Sequence, residues 1–303
     1  MAKTPGNTAA KLTTIITTSP TPSAPSPALI MSVHQSWKRY CPALPNCNVI
    51  VVFDGYDSVV PKAQLKKGRV TQEQADHHEL YMINVQEFML EQYYGLPNMH
   101  VRLTETEAEA EYGGDFHEYG VKYTITQTHD KRVTFIDAKR QLGFGLAVRS
   151  ALRLTETPYV FVQQHDWALN SFFPIRPLLQ IMEESEAKPT PVKYVCLPAI
   201  RMLSYATSTD VQAFPALRAL TSSLKGDYAP DKGPMKGKAV PLTPLFFWHD
   251  KPHVASTAHY LARVFPSRLA MLRGDFIEDK IGQRARAQMK EGEVSALPCI
   301  LTS

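Results

Sequence analysis

The stretch Tyr159-Val160-Phe161-Val162-Gln163-Gln164-His165-Asp166-Trp167 runs β-branched and aromatic residues straight into a polar cluster. That is the pattern of a buried strand with polar groups at its carboxyl end. In an open α/β sheet, ligands lie just outside those ends. Asp166 there has the chemistry to hold a hard cation against a phosphate. Its plainer role is to cap the turn that follows. Asp54, before Gly55, ends another apolar run in the same way and is equally compatible with an ordinary turn. Glu278 and Asp279 open a late helix, where acids also suit the helix dipole. Gly143 and Gly145 allow backbone to come close, either to a ligand or to a packed neighbour. Their spacing is not G-x-G-x-x-G, so the glycines alone define no phosphate cradle. Arg140 beside them either reaches a pyrophosphate or is solvated. Asp76-His77-His78-Glu79 has metal-ligating types, but adjacent helical residues point in different directions, so no metal site is expected there. Trp167 and Trp248 suit stacking on a sugar ring, with core filling favoured.

These residues need a scaffold, and the pattern supplies one. Leu12 to Thr18 is rich in β-branched residues and reads as a first strand. It stops at Ser19 to Pro27, whose four prolines exclude helix and central strand. Ala28 to Tyr40 reads as a helix, with Leu29, Val33 and Trp37 on one face. Asn48 to Phe53 is a second strand. Strand, helix and strand so closely joined imply a right-handed βαβ unit and a parallel sheet. Residues 58–130 form a long insertion, with helical character over Thr71 to Tyr94 and an acidic, solvated face at Glu105 to Glu111. Arg132 to Ile136 reads as a third strand. Phe144, Ala147, Val148, Ala151 and Leu154 mark the helix leading back to the Tyr159 strand. Further on, a helix is expected from about Pro177, a strand at Tyr194 to Leu197 and an exposed lysine-rich loop over Leu224 to Val240. A strand at Leu245 to Trp248, a helix from about His253 and a last helix bearing Ile281, Ala285 and Met289 complete the chain.

The 303 residues are 44% apolar and 20% charged, as in an ordinary globular protein with a full core. A net charge of +4 gives no sign of a nucleic-acid partner and suits an anionic small ligand. None of the four cysteines has C-x-x-C spacing, so free thiols and no zinc site are expected. Residues 1–10 read as a disordered tail without a signal-peptide core, and no run approaches the roughly 18 apolar residues of a membrane span. A cytoplasmic setting is the expectation.

The order of these parts resembles the GT-A fold of glycosyltransferases, glycosyltransferase family 2 in particular. The similar features are Thr17-Thr18-Ser19-Pro20, Val51-Val52-Phe53-Asp54-Gly55 and the Gly-rich helix from Gln141 to Leu152. Gln164-His165-Asp166 stands where that family has its D-x-D-type metal motif, and Ile277-Glu278-Asp279 resembles its E-D motif. The resemblance implies an α/β, Rossmann-like domain over 11–303, with a central, mostly parallel sheet flanked by helices. It implies an inverting transferase moving a sugar from a nucleoside-diphosphate sugar to a hydroxyl of a glycan or other acceptor. Asp279, or else Glu278, would be the general base. Thr18, Ser19, Asp54, Arg140 and Gln164 would contact the donor. Asp166 would bind Mn²⁺ or Mg²⁺ on the diphosphate, with His253 or His165 as a nitrogen ligand suited to Mn²⁺. The departures are the 58–130 insertion and Gln164, a weaker ligand than the acid that motif carries.

Two other readings are compatible with the sequence. A sugar nucleotidyltransferase would want a Gly- and basic-rich loop after the first strand, where this chain has prolines. A degenerate GT-A fold that binds a glycan or a partner protein fits the missing acid at Gln164.

Overall fold

The computed structural model describes residues 8–95, 101–113, 119–199, 202, 204–291 and 299–302, without the side chains of Asp210, Met289 and 299–302. Most of the tail expected over 1–10 lies outside the described residues; residues 8–10 form a turn. The chain divides into two compact units, Met1–Phe173 with Phe265–Asp275, and Pro174–Val264 with Phe276–Ser303.

The first unit opens with β1 (Leu12–Thr18), α1 (Ala28–Tyr40) and β2 (Asn48–Phe53). The short strands β3 (Ser58–Val59) and β4 (Arg69–Val70) form a separate ribbon before α2 (Gln72–Tyr94). The hairpin β5 (Leu103–Tyr112) and β6 (Tyr119–Thr128) leads to β7 (Val133–Ala138), α3 (Phe144–Leu154) and β8 (Tyr159–Gln164). The strand order is β8-β1-β2-β7-β6-β5. β8, β1, β2 and β7 run parallel, and the hairpin continues the sheet antiparallel. The chain therefore proceeds from β1 outward through β2 to β7, then returns to lay β8 on the other side of β1. The crevice at the carboxyl ends of β1 and β8 is a topological switch point, the favoured ligand position in such sheets.

Burial on both faces explains the composition of β1, since every one of its side chains is buried. Its threonines would be costly there without partners. Thr13 Oγ1 pairs with Thr157 Oγ1 at 2.8 Å, Thr14 Oγ1 donates to the Asn48 carbonyl at 3.0 Å, and Thr18 Oγ1 meets the Tyr81 hydroxyl at 2.8 Å. At the end of β8, buried Gln163 accepts from Trp37 Nε1 at 2.7 Å and donates through Nε2 to the Trp167 carbonyl. One amide thus ties α1 to the turn that carries His165 and Asp166. The helix expected over Thr71 to Tyr94 starts at a capping box: Thr71 accepts from the Gln74 N–H, and the Gln74 side chain accepts from the Thr71 N–H. The acidic run is solvated as expected, but it is strand β5, with Glu105, Glu107, Glu109 and Glu111 exposed along one face. β5 is the outer strand of the hairpin, and such charge discourages edge-to-edge pairing.

The second unit holds α4 (Ile175–Ser185), β9 (Tyr194–Cys196), α5 (Thr209–Gln212), α6 (Pro215–Leu224), β10 (Gly226–Tyr228) and β11 (Val240–Leu245). Then come β12 (His253–Ser256), α7 (Thr257–Arg263), a π-helical turn at Glu278–Gly282, α8 (Gln283–Lys290) and β13 (Cys299–Thr302). The order is β10-β11-β13-β9-β12, with only β13 and β9 parallel. The parallel character of the fold belongs to the first unit. The exposed loop expected over Leu224 to Val240 contains β10, which pairs with β11, and two boundaries also depart from the sequence expectation. The strand expected at Leu245 to Trp248 lies earlier, because Pro241 and Pro244 sit within β11 and disguise it. The helix expected from His253 starts at Thr257, because Ser256 caps it by accepting the His259 N–H, and His253 lies in β12. Cys41, Cys47 and Cys196 are buried thiols that take part in no disulfide. No helix among the described residues is long and apolar enough to cross a membrane.

Candidate active site

The carboxyl edge of the first unit is built around Asp54. Its carboxylate accepts the backbone N–H of Leu142 through one oxygen and that of Gly143 through the other, the latter at 3.0 Å. Burial pushes this carboxyl up from its ordinary 3.8 to about 6, while the N–H groups of Leu142, Gly143 and Gly55 pull the other way. Asp54 therefore braces the loop between β7 and α3. Gly143 has φ of 79°, and a Cβ there would lie 2.5 Å from the Gly274 Cα. The glycines thus serve close packing, and the segment they admit is Phe265–Asp275 of the same unit. It is tied down by the Gly274 N–H on the Leu142 carbonyl at 2.8 Å and by the Gly145 N–H on the Asp275 carbonyl at 3.1 Å.

That segment delivers Arg273 to Asp57, three residues beyond Asp54 in the chain. Arg140 Nε reaches the same Asp57 oxygen at 3.3 Å. Arg140 is thus neither freely solvated nor alone. It is one of two guanidinium groups on one carboxylate, at the edge where β2 and β7 end.

Beside it, the switch point presents the ends of β1 and β8. Thr18 is buried, with its hydroxyl on Tyr81 and its carbonyl accepting the Asp54 N–H at 2.7 Å, so it fixes the edge from within. Ser19 is half-buried next to it. Gln164 and His165 are half-buried, and Asp166 is exposed. The His165 N–H donates to the Thr17 carbonyl at 3.0 Å, which carries the β1–β8 pairing one step past the strand. Burial lowers the His165 pKa, with Asp166 and the Thr17 contact opposing. His165 Nδ1 is buried without a hydrogen-bond partner among the described residues.

Glu278, Asp279 and His253 belong to the second unit. Glu278 and Asp250 form a reciprocal clasp. The Glu278 N–H donates to Asp250 Oδ2 at 3.1 Å, and the Asp250 N–H donates to Glu278 Oε2 at 3.3 Å. His249 Nδ1 lies 3.5 Å from the other Glu278 oxygen. Burial lifts the Asp250 carboxyl from 3.8 to about 7; the Glu278 N–H lowers it, and the charges of Glu278 and Asp279 raise it further. The clasp fixes the first turn of the π-helical segment and leaves Asp279 exposed. The expectation of His253 as a metal ligand is corrected. Its side chain is fully buried, Nδ1 lies 2.6 Å from the Lys251 carbonyl, and Nε2 lies 3.2 Å from the Tyr260 hydroxyl. Both ring nitrogens are engaged in the core, beside Trp248, which packs on Tyr194 and Tyr260 as a core residue.

Among the described residues, no group of three or more His, Cys, Asp or Glu is placed to hold a metal ion. At the switch point the side-chain donors offered are one carboxylate, a carboxamide and an imidazole nitrogen. That set fits a hard cation only when phosphate oxygens and water complete its shell. Sequence reasoning missed Arg273, Asp57 and Asp250 as parts of the edge and the clasp. Asp57 lies three residues beyond Asp54, but Arg273 lies 216 residues away from it and no local pattern links them.

An α/β fold with a parallel sheet and a carboxyl-edge switch point is thus what this chain builds. No family profile and no curated protein matches the sequence. Among solved structures, it is similar to the mannosyltransferase PcManGT from Pyrobaculum calidifontis in complex with GDP-Man and Mn²⁺, at 12% identity and a TM-score of 0.41 over 92% of this chain. The chain spans about half, 52%, of that protein's length. It is also similar to mannosyl-3-phosphoglycerate synthase from Rubrobacter xylanophilus, at 11% identity and a TM-score of 0.33, covering 94% of this chain and 76% of that one. Likenesses at this level assign neither a substrate nor a residue.

Proposed function

We propose that the protein is a glycosyltransferase of GT-A type, taking a nucleoside-diphosphate sugar and passing the sugar, with inversion, to a hydroxyl of a glycan or other acceptor. The observation that carries this reading is the switch point of the first unit, where Asp166 is exposed at the end of β8 beside Gln164, His165 and Ser19. In the proposed reaction the acceptor oxygen bonds to the anomeric carbon as the bond to the diphosphate breaks. The hydroxyl proton passes to Asp279, with Glu278 held aside by its clasp to Asp250. General-base action of this kind contributes roughly 10²–10⁴ in rate. A divalent metal, Mn²⁺ or Mg²⁺, bound through Asp166 would offset the charge of the leaving diphosphate. Thr18 and Asp54 are assigned to shaping the edge rather than to touching the donor base.

Gln164 in place of an acid favours a second reading, a GT-A-type protein that binds a glycan without transfer. Asp279→Asn separates the two. The enzyme reading expects transfer to fall by at least roughly 10²-fold with nucleotide-sugar binding retained. Full activity in that variant removes Asp279 as base. Glycan binding by a wild-type protein that neither transfers nor hydrolyses any nucleotide sugar establishes the second reading.

A further inference from the structure

The Arg140–Asp57–Arg273 group is built unlike an ion pair that serves only to pin loops. Arginine meets a carboxylate most strongly fork to fork, with two parallel N–H···O bonds. Here Arg140 uses Nε alone and Arg273 uses Nη1 alone, and both converge on Asp57 Oδ1. Each fork keeps its remaining donors for another planar or tetrahedral oxyanion. The side chains of Arg140 and Arg273 are 55% and 26% exposed, against 17% for Asp57, so the cations are more accessible than the anion between them. Within the group two guanidinium charges meet one carboxylate, and the buried Asp54 carboxylate lies near enough to Asp57 for their charges to interact. Both arms are held by backbone. Arg140 stands in the loop braced by Asp54, and Arg273 precedes Gly274, whose N–H is fixed on the Leu142 carbonyl.

We propose that Arg140 and Arg273 form a phosphoryl-binding clamp at the carboxyl edge of the first unit, with the Asp57 carboxylate as an internal anion that a diphosphate displaces. The assignment rests on the reading of this edge as a nucleotide-sugar site and deepens it. Where the side-chain ligands for a cation are few, a guanidinium pair takes over part of the charge of the leaving diphosphate. Guanidinium groups suit that role because they stay charged and match phosphate geometry.

The test is titration calorimetry with inorganic pyrophosphate, in EDTA and at low ionic strength, on the full chain. Arg273→Gln and Arg140→Gln are each expected to weaken binding about tenfold, the effect of losing one charge-assisted hydrogen bond. Asp57→Asn, whose amide oxygen still accepts from both arginines, is expected to tighten binding about tenfold because the competing charge is gone. Unchanged or weaker binding in Asp57→Asn overturns the clamp, as does unchanged binding in both arginine variants. Should an arginine variant fail to fold, the Asp57→Asn result alone decides. The outcome is separable from the proposed activity, because no sugar is transferred in the measurement. Arginine-dependent pyrophosphate binding without any transfer keeps the clamp and sinks the enzyme reading. Transfer with pyrophosphate binding insensitive to both arginines does the reverse.

Discussion

Replacing Asp250 by asparagine is expected to make the protein more stable at alkaline pH and nearly unchanged at pH 4. Asp250 is 6% exposed, and its carboxyl is lifted by burial from 3.8 to about 7. A carboxyl with a folded pKa above its unfolded value binds more protons in the native state. Its contribution to stability is therefore fully favourable below about pH 4 and is lost as pH rises towards 7. Three units at about 1.36 kcal/mol each put the upper bound of that loss near 4 kcal/mol. Asparagine keeps an oxygen for the Glu278 N–H and never ionises, so it removes the penalty and keeps the clasp. Wild type carries opposing terms. His34, His253 and His259 are each held near pKa 4, led by burial, and cost stability as pH falls from 6.5 towards 4. These terms, and that of Asp54, are common to both proteins and cancel in the difference. The assay is urea denaturation of both proteins from pH 4.5 to 8.5. A stability gain that grows with pH and levels off above about pH 8 supports the reasoning. A difference independent of pH refutes it and would mean that Asp250 is ionised throughout.

Two further substitutions test assignments made above. His253→Ala, which empties a fully buried site and removes one hydrogen-bond partner each from the Lys251 carbonyl and the Tyr260 hydroxyl, is expected to cost about 2–4 kcal/mol by denaturant titration. It should leave any Mn²⁺ dependence of ligand binding unchanged, and loss of metal dependence in a folded variant would restore His253 as a ligand. Asp54→Ala leaves the N–H groups of Leu142 and Gly143 without their acceptor and is expected to cost about 2–4 kcal/mol. A melting temperature equal to wild type would show that the loop is held by something else.

The parallel core was legible because its strands are buried on both faces. Leu12 to Thr18, Val49 to Phe53 and Tyr159 to Val162 are unbroken runs of β-branched and apolar residues, with polar residues following them. The helix Ala28–Tyr40 was legible from Leu29, Val33 and Trp37. Strand β11 was not, because prolines conceal a strand that pairs beside them. β5 was read as an acidic run because its charges dominate, although glutamate at every second residue carries the period of a strand. In the candidate site, Asp166 and Asp54 stood out at strand ends. What stayed hidden were long-range partnerships: Asp54 bonding to a loop 88 residues on, and Arg273 meeting Asp57. Such pairings depend on which loops the sheet order brings together, and local spacing does not encode that.

The central claim is that the carboxyl edge around Asp166 takes a nucleoside-diphosphate sugar. Thermal-shift titration with a panel of nucleotide sugars, with and without Mn²⁺, on wild type and Asp166→Asn tests it most directly. Ligand binding to the native state alone raises apparent stability by about 2.7 kcal/mol at a hundredfold excess over Kd. The account predicts that at least one nucleotide sugar raises the melting temperature of wild type in Mn²⁺, and that the shift collapses in Asp166→Asn. A wild-type protein indifferent to the whole panel, or an Asp166→Asn variant that responds as wild type does, would contradict it.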